Sequence, residues 1–203
     1  MTSLAAHAIY GAAWFSFGVG HSLLAGDWLK RRLVPWLGAG YRLAYNLVAT
    51  LHLALLVVLG TLLFGTDSPF TRPWVLVGCQ WALVVAGITV MSAGMVTYDL
   101  GRFIGYSQWR AARAGQPIAE DEPLRLEGPH RWVRHPVYAG AHLFMWGGAI
   151  NELGLATAAW VSAYLLVGMV FEERRLGRLY GEAYRAYQTA VPALIPWRGR
   201  VSL

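Results

Sequence analysis

Four long stretches almost free of formal charge constrain this chain more than any other feature. Leu4 to Ala25, Leu43 to Thr66 and Trp74 to Tyr98 carry none, and Pro136 to Phe171 carries only Glu152. At about 1.5 Å of rise per residue, the 22 residues from Leu4 to Ala25 make a helix of roughly 33 Å, enough for a hydrocarbon core of about 30 Å. The last stretch is 36 residues long. As one helix it would reach about 54 Å, far more than a membrane needs. Asn151, Glu152 and Gly154 supply turn residues in its middle, so it predicts two slightly short antiparallel helices. The fold class expected is therefore an all-α integral membrane protein with about five transmembrane helices, the last two forming a hairpin.

Composition agrees. Only 14% of the 203 residues are charged, against about a quarter in soluble domains. The net charge is +6, with ten Trp and ten Tyr. Basic loops and interfacial aromatics between apolar spans suit a bilayer partner, and no nucleic-acid partner is expected. Cys79 is the only cysteine, which excludes an internal disulfide and a cysteine-based metal cage. No metal is expected.

Loop charge sets an expected orientation. Lys30, Arg31, Arg32 and Arg42 follow the first span, six arginines lie between Arg102 and Arg134, and six more lie in the tail. The second loop has only Arg72 and the Asn151 turn has no basic residue. Positive loops face the cytoplasm, so the N-terminus is placed outside, the C-terminus in the cytoplasm, and the protein in the inner membrane. Leu100 to Ala114 predicts an interfacial helix, and Gly115 to Pro123 a loop. We read residues 1–203 as one domain, with 1–98 a three-helix substrate-side bundle and 99–203 a cofactor-binding half.

Two polar clusters carry the chemistry. The first runs from Gly128 to Gly140. Pro136 suits a first helical position, where free N–H groups and the helix dipole favour an anion. Arg131, Arg134 and His135 surround that point, and an arginine can grip a carboxylate or phosphate in two places. Tyr138 and His142 lie three and seven residues beyond His135, on one helix face. The plainer reading is a basic helix start facing lipid headgroups. The second cluster is Glu172, Glu173 and the residues after them. Glu173, Tyr180, Tyr184 and Tyr187 recur on one helical face. A carboxylate pair ending a membrane span needs partners. Nearby arginines could be those partners, or the glutamate could hold an ammonium or a ribose diol while tyrosine faces receive a sulfonium.

The pattern Arg134-His135-Pro136-x-Tyr138-x-Gly140, followed about 32 residues later by Glu172-Glu173-x-x-Leu176, then Gly181-x-x-Tyr184-x-x-Tyr187, Pro192 and Ile195-Pro196, resembles the isoprenylcysteine carboxyl methyltransferase superfamily, which includes phospholipid methyltransferases. The resemblance covers residues 128 to 197. It implies S-adenosylmethionine as cofactor, with roles for Arg134, His135, Tyr138, Gly140, Glu172, Glu173 and Tyr184. His130 stands where relatives often have tyrosine. Gly20-His21-Ser22-Leu-Leu-Ala25 and Tyr41-Arg42-x-x-Tyr45-Asn46 are similar to NnrU-type proteins and to bacterial thiol S-methyltransferases of the methanethiol type, and Tyr98-Asp99-Leu100 with Gln108 downstream resembles the latter.

The acceptor implied is small or lipophilic, most simply a thiol; a prenylcysteine carboxylate or a lipid is the alternative. Asp99, His21 and Glu173 are the catalytic candidates, since a thiol near pKa 8.5 needs a base or a nearby cation. The bland readings are an interhelical polar contact for His21 and a surface pair with Arg102 for Asp99. A reading from another class is a haem-binding NnrU-like isomerase or electron carrier, using His7, His21, His52 or His142. A third is a non-catalytic membrane scaffold or lipid sensor.

Overall fold

The computed structural model describes residues 3–65, 69–117 and 123–202. Among them are α1 (Ser3–Ala25), α2 (Asp27–Leu37), α3 (Tyr41–Phe64), α4 (Trp74–Met95), α5 (Leu100–Ile104), α6 (Tyr106–Arg113), α7 (Pro136–Gly147), α8 (Glu152–Tyr180) and α9 (Glu182–Ala190), and no strand. The protein is an all-α membrane protein. Three helical stretches are long and apolar enough to cross a bilayer: Asp27–Phe64, Trp74–Met95 and Glu152–Tyr180. Each of the five expected spans is helical, but α1 and α7 are not among those three. The Gly115 to Pro123 loop lies largely outside the described residues.

The contacts divide the chain into two compact units that interleave in sequence. One joins Met1–Thr66 with Asp99–Glu122, the other Asp67–Tyr98 with Pro123–Leu203. In the first unit α1 and α3 run antiparallel. His7 and Tyr10 meet Phe64 at one end, and the Tyr41 hydroxyl donates to the Leu24 carbonyl at 2.5 Å at the other. Tyr10, Trp14 and Phe17 interlock edge to face between them, an arrangement that adds to their area burial. The expected interfacial helix is broken in two. Gly105, at φ +94°, ends α5 and opens α6, because a Cβ there would lie 2.7 Å from Arg42 Cβ. Arg42 and Asn46 of α3 donate to the carbonyls of Phe103 and Ile104, satisfying the end of α5.

In the second unit α4 and α7 pack backbone on backbone. Gly87 and Gly94 are seven residues apart on α4, and Gly140 and Gly147 are seven apart on α7. A Cβ on Gly87 would lie 2.5 Å from Phe144 N, one on Gly140 2.5 Å from Met91 N, and one on Gly147 2.8 Å from Gln80 O. The matching of 147 with 80, 140 with 87 and 137 with 94 makes the pair antiparallel. Such small residues let helices approach where lipid offers no hydrophobic drive.

The last apolar stretch folds as the expected hairpin, with unequal arms. α7 has 12 residues and α8 has 29, about 18 Å and 44 Å. The Asn151 side chain accepts from Gly154 N at 2.8 Å and caps α8. That helix does not stop at Phe171 but carries the charged Glu172–Arg175 segment onward. It ends at Gly181, whose φ of +57° breaks the helix before α9. Tyr180 and Tyr184 therefore belong to different helices, and the continuous tyrosine face expected from spacing does not exist.

Replacing Gly87 or Gly140 by valine is expected to destabilise the second unit by about 1–3 kcal/mol, the usual penalty of overpacking. Thermal unfolding in detergent checks this, with Gly168→Ala, where a Cβ meets nothing within 4 Å, as the tolerated control.

Candidate functional site

The site end of the second unit is where the segment before α7, the end of α8 and the end of α9 converge. Pro136 opens α7 as its first residue. The two residues before it are held extended: Arg134 N donates to Pro192 O at 2.9 Å and His135 N to Ala193 O at 3.1 Å. These bonds aim the Arg134 and His135 side chains at α8.

Glu173 receives them. Arg134 Nε donates to Glu173 Oε1 at 2.8 Å, and Nη2 donates to the same oxygen. His135 Nε2 lies 3.0 Å from Oε1, and Gln188 Nε2 donates to Oε2 at 3.1 Å. Arg134 Nη1 also donates to Gln188 O and Val191 O, at 3.1 and 2.6 Å, at the end of α9. Arg134 and Glu173 thus bind each other and α9. Gln188 is a site residue that motif reading missed. Its signal was a polar residue one position beyond Tyr187 on a short amphipathic helix.

Glu172 is different. Its side chain is 39% exposed, its Oε2 lies 3.6 Å from His135 Nδ1, and that oxygen has no hydrogen bond. The Tyr138 ring stacks on His135 at 5.4 Å between centroids, and His135 in turn lies against Glu172. Arg131 Nε is likewise buried without a hydrogen-bond partner. Arg131 and Glu172 therefore keep donor and acceptor capacity that the lattice does not use.

Other expected site residues lie elsewhere. Gly140 is buried against Met91 and Gly87 of α4, which gives its missing side chain a packing reason. Tyr184 and Tyr187 are 1% and 3% exposed and form a core with Val191. Their faces are covered by Leu124, Leu126 and Leu176 rather than open to a sulfonium, and burial pushes both phenols well above their ordinary value. His142 Nδ1 lies 2.7 Å from the Tyr138 carbonyl. Asp99 and His21 belong to the first unit. The Asp99 carboxylate caps α5, accepting from Arg102 N at 3.0 Å, and is 48% exposed. His21 Nε2 lies 2.5 Å from the Tyr45 hydroxyl. His52 Nε2 meets Ser16 Oγ at 3.2 Å.

His130 occupies the position where the motif varies. It is 2% exposed, with Nδ1 3.2 Å from Arg134 O and Nε2 3.3 Å from Thr97 Oγ1. The Tyr187 hydroxyl donates to its carbonyl at 2.7 Å. Burial, the largest cause, lowers its pKa below 6.5, with His135 and Arg125 adding to this and the Arg134 carbonyl opposing it.

Apolar helices of membrane-crossing length, with a guanidinium, imidazoles and two carboxylates gathered where a helical hairpin ends, define an integral membrane protein with a polar site. The chain is 31% identical over 194 residues to methanethiol S-methyltransferase of Mycobacterium tuberculosis, covering 91% of this chain and 75% of the relative. It is 32% identical over 200 residues to methanethiol S-methyltransferase 1 of Bradyrhizobium diazoefficiens, and 30% over 191 residues to methanethiol S-methyltransferase 2 of that organism. The chain belongs to the methanethiol S-methyltransferase family, whose named members are transferases of one-carbon groups. It spans 65% and 69% of the two Bradyrhizobium relatives. No family model and no solved structure matches it.

Two outcomes test this site. Arg134→Ala leaves a largely buried carboxylate without its cation and is expected to cost about 3 kcal/mol, read as a fall in unfolding temperature. His130 binds its proton less readily folded than unfolded. Its contribution to stability is complete above pH 6.5 and is lost as pH falls from there through the lowered folded value. His130→Asn is expected to flatten the unfolding temperature across that window.

Proposed function

We propose that the chain is an S-adenosylmethionine-dependent membrane methyltransferase whose acceptor is a small thiol. The observation that carries the reading is the unused capacity at Arg131 Nε and Glu172 Oε2, with Glu172 joined through His135 to the Arg134–Glu173 pair, in a chain of the methanethiol S-methyltransferase family. A buried guanidinium Nε without a partner suits a carboxylate, and a half-exposed glutamate suits an ammonium or a ribose diol. These are the polar parts of S-adenosylmethionine, so the residues present fit it. Arg131 would hold its carboxylate and Glu172 its ammonium or ribose, with His135 and Tyr138 orienting Glu172 and Arg134, Glu173 and Gln188 fixing the frame.

When bound, the sulfonium supplies an already activated methyl group. The chain's own work is then alignment and exclusion of water. Glu173 acts through the frame rather than on the reacting atoms.

We place five spans in the inner membrane, α1, α3, α4, α7 and α8, with the N-terminus outside and the site facing the cytoplasm. α7 is short, but it lies along α4 from Gln80 to Gly94, and Phe70 N donates to Ile150 O at 2.9 Å just past its end. The hairpin and α4 thus turn together at the end away from Arg131 and Arg134.

Calorimetry with S-adenosylmethionine tests the reading, followed by labelled-methyl transfer to a panel of thiols, prenylcysteines and lipids. Glu172→Gln and Arg131→Gln are expected to weaken cofactor affinity about tenfold or more, the loss of one charge-assisted hydrogen bond, with unfolding temperature nearly unchanged. Glu173→Gln is expected to lower both. Absence of binding by the wild-type protein refutes the assignment.

A further inference from the structure

We propose that His142 is the base that takes the proton from the acceptor thiol, and that the thiol lies between α7 and α8 beside Gly168. The inference rests on the methyltransferase reading above and assigns its acceptor site.

His142 Nδ1 lies 2.7 Å from the Tyr138 carbonyl oxygen. A carbonyl only accepts, so Nδ1 carries the hydrogen and Nε2 presents a bare lone pair. That nitrogen is buried and has no hydrogen-bond partner. An unmet buried acceptor is unfavourable, so something that donates a proton completes the position. His21, His52, His130 and His135 each hold partners at both or one of their nitrogens.

The placement of His142 is set by its neighbours one turn away. Tyr138, four residues before it, stacks on His135, whose Nδ1 lies 3.6 Å from Glu172 Oε2 of α8. Trp146, four residues after it, donates from Nε1 to Ser162 Oγ of α8 at 3.0 Å. Residues four apart share a helix face, so the imidazole stands between the two points where α7 is tied to α8. On α8, Gly168 lies one turn from Glu172 toward Ser162. A Cβ there would meet nothing within 4 Å. The helix surface is open there, and the space suits a small acceptor.

A thiol of pKa about 8.5 is mostly protonated near neutral pH. Its S–H proton passes to Nε2. The freed sulfur pair closes the new bond to the donor methyl carbon, and the old methyl–sulfonium bond breaks with its electrons left on the donor sulfur, which becomes a neutral thioether. The imidazolium then returns its proton to water.

Full-length wild-type, His142→Gln and Gly168→Leu proteins in nanodiscs test this. His142→Gln is expected to lose about 100-fold in kcat/KM for an alkyl thiol at neutral pH, while calorimetry shows S-adenosylmethionine binding unchanged. The loss should shrink to less than about tenfold for an aryl thiol already ionised at the assay pH. With S-adenosylhomocysteine in place of the donor, a bound alkyl thiol should show the thiolate ultraviolet band in wild type and not in His142→Gln. Gly168→Leu should raise KM for the thiol without changing cofactor affinity. An equal loss on both thiols, no loss, or impaired cofactor binding in His142→Gln overturns the base assignment. An unchanged KM in Gly168→Leu overturns the placement. Wild-type protein that transfers methyl but shows no thiolate band refutes this inference alone, whereas wild-type protein that binds no S-adenosylmethionine refutes both readings.

Discussion

The ion pair between Arg134 and Glu173 is the interaction on which the site end of this molecule depends. Two charges leaving water are penalised unless their remaining hydrogen-bonding capacity is met. Here both Glu173 oxygens accept, and Arg134 reaches past the carboxylate to two carbonyls closing α9. Those carbonyls carry the negative end of a helix dipole, so one cation serves a carboxylate and a helix terminus together. Three segments far apart in sequence thereby converge on a single side chain: the approach to α7, the end of α8 and the end of α9.

The neighbouring glutamates show how one helix divides labour. Adjacent residues on an α-helix point about 100° apart. Glu173 turns toward Arg134 and α9, while Glu172 turns toward His135 Nδ1 at the start of α7. Saturating the first leaves the second positioned yet incompletely bonded. His135 touches both, with Nε2 at 3.0 Å from Glu173 and Nδ1 at 3.6 Å from Glu172. It transmits the rigidity of the lattice to the open carboxylate. A binding group held by packing and second contacts, rather than by its own flexibility, loses little entropy when it binds.

Much of the fold was legible because it rests on periodicity and charge. The uncharged stretches became helices, and the chain reverses at Asn151 as its turn residues implied. What local sequence leaves out has physical causes. A run of tyrosines at helical spacing reads as one face only if the helix continues, and Gly181 at φ +57° stops it. A carboxylate just before a short helix has free N–H groups to cap, and Asp99 accepts from Arg102 N. Two Arg134 donors converge on one oxygen of an internal glutamate 39 residues away, a pairing that local sequence cannot reveal. The seven-residue glycine spacings on α4 and α7 were visible, but their meaning needs both helices at once.

The glycine contact between α4 and α7 also sets the position of the polar end of α7. Pro136 and Val137 rest on Gly94, where a Cβ would lie 3.2 Å from Pro136 Cγ and 2.9 Å from Val137 Cγ2. The start of α7 is therefore fixed against the end of α4 by steric fit, before any polar bond is counted. His135, immediately before Pro136, inherits that position. His142, two turns further along the same helix, is set at a fixed distance deeper into the apolar hairpin, about 10 Å along the axis. A helix docked through backbone contact has little freedom to slide, so the polar frame and the buried imidazole keep a constant separation. The transfer proposed above, from a donor at the polar end to an acceptor within the apolar hairpin, would need that constancy more than any single charged residue.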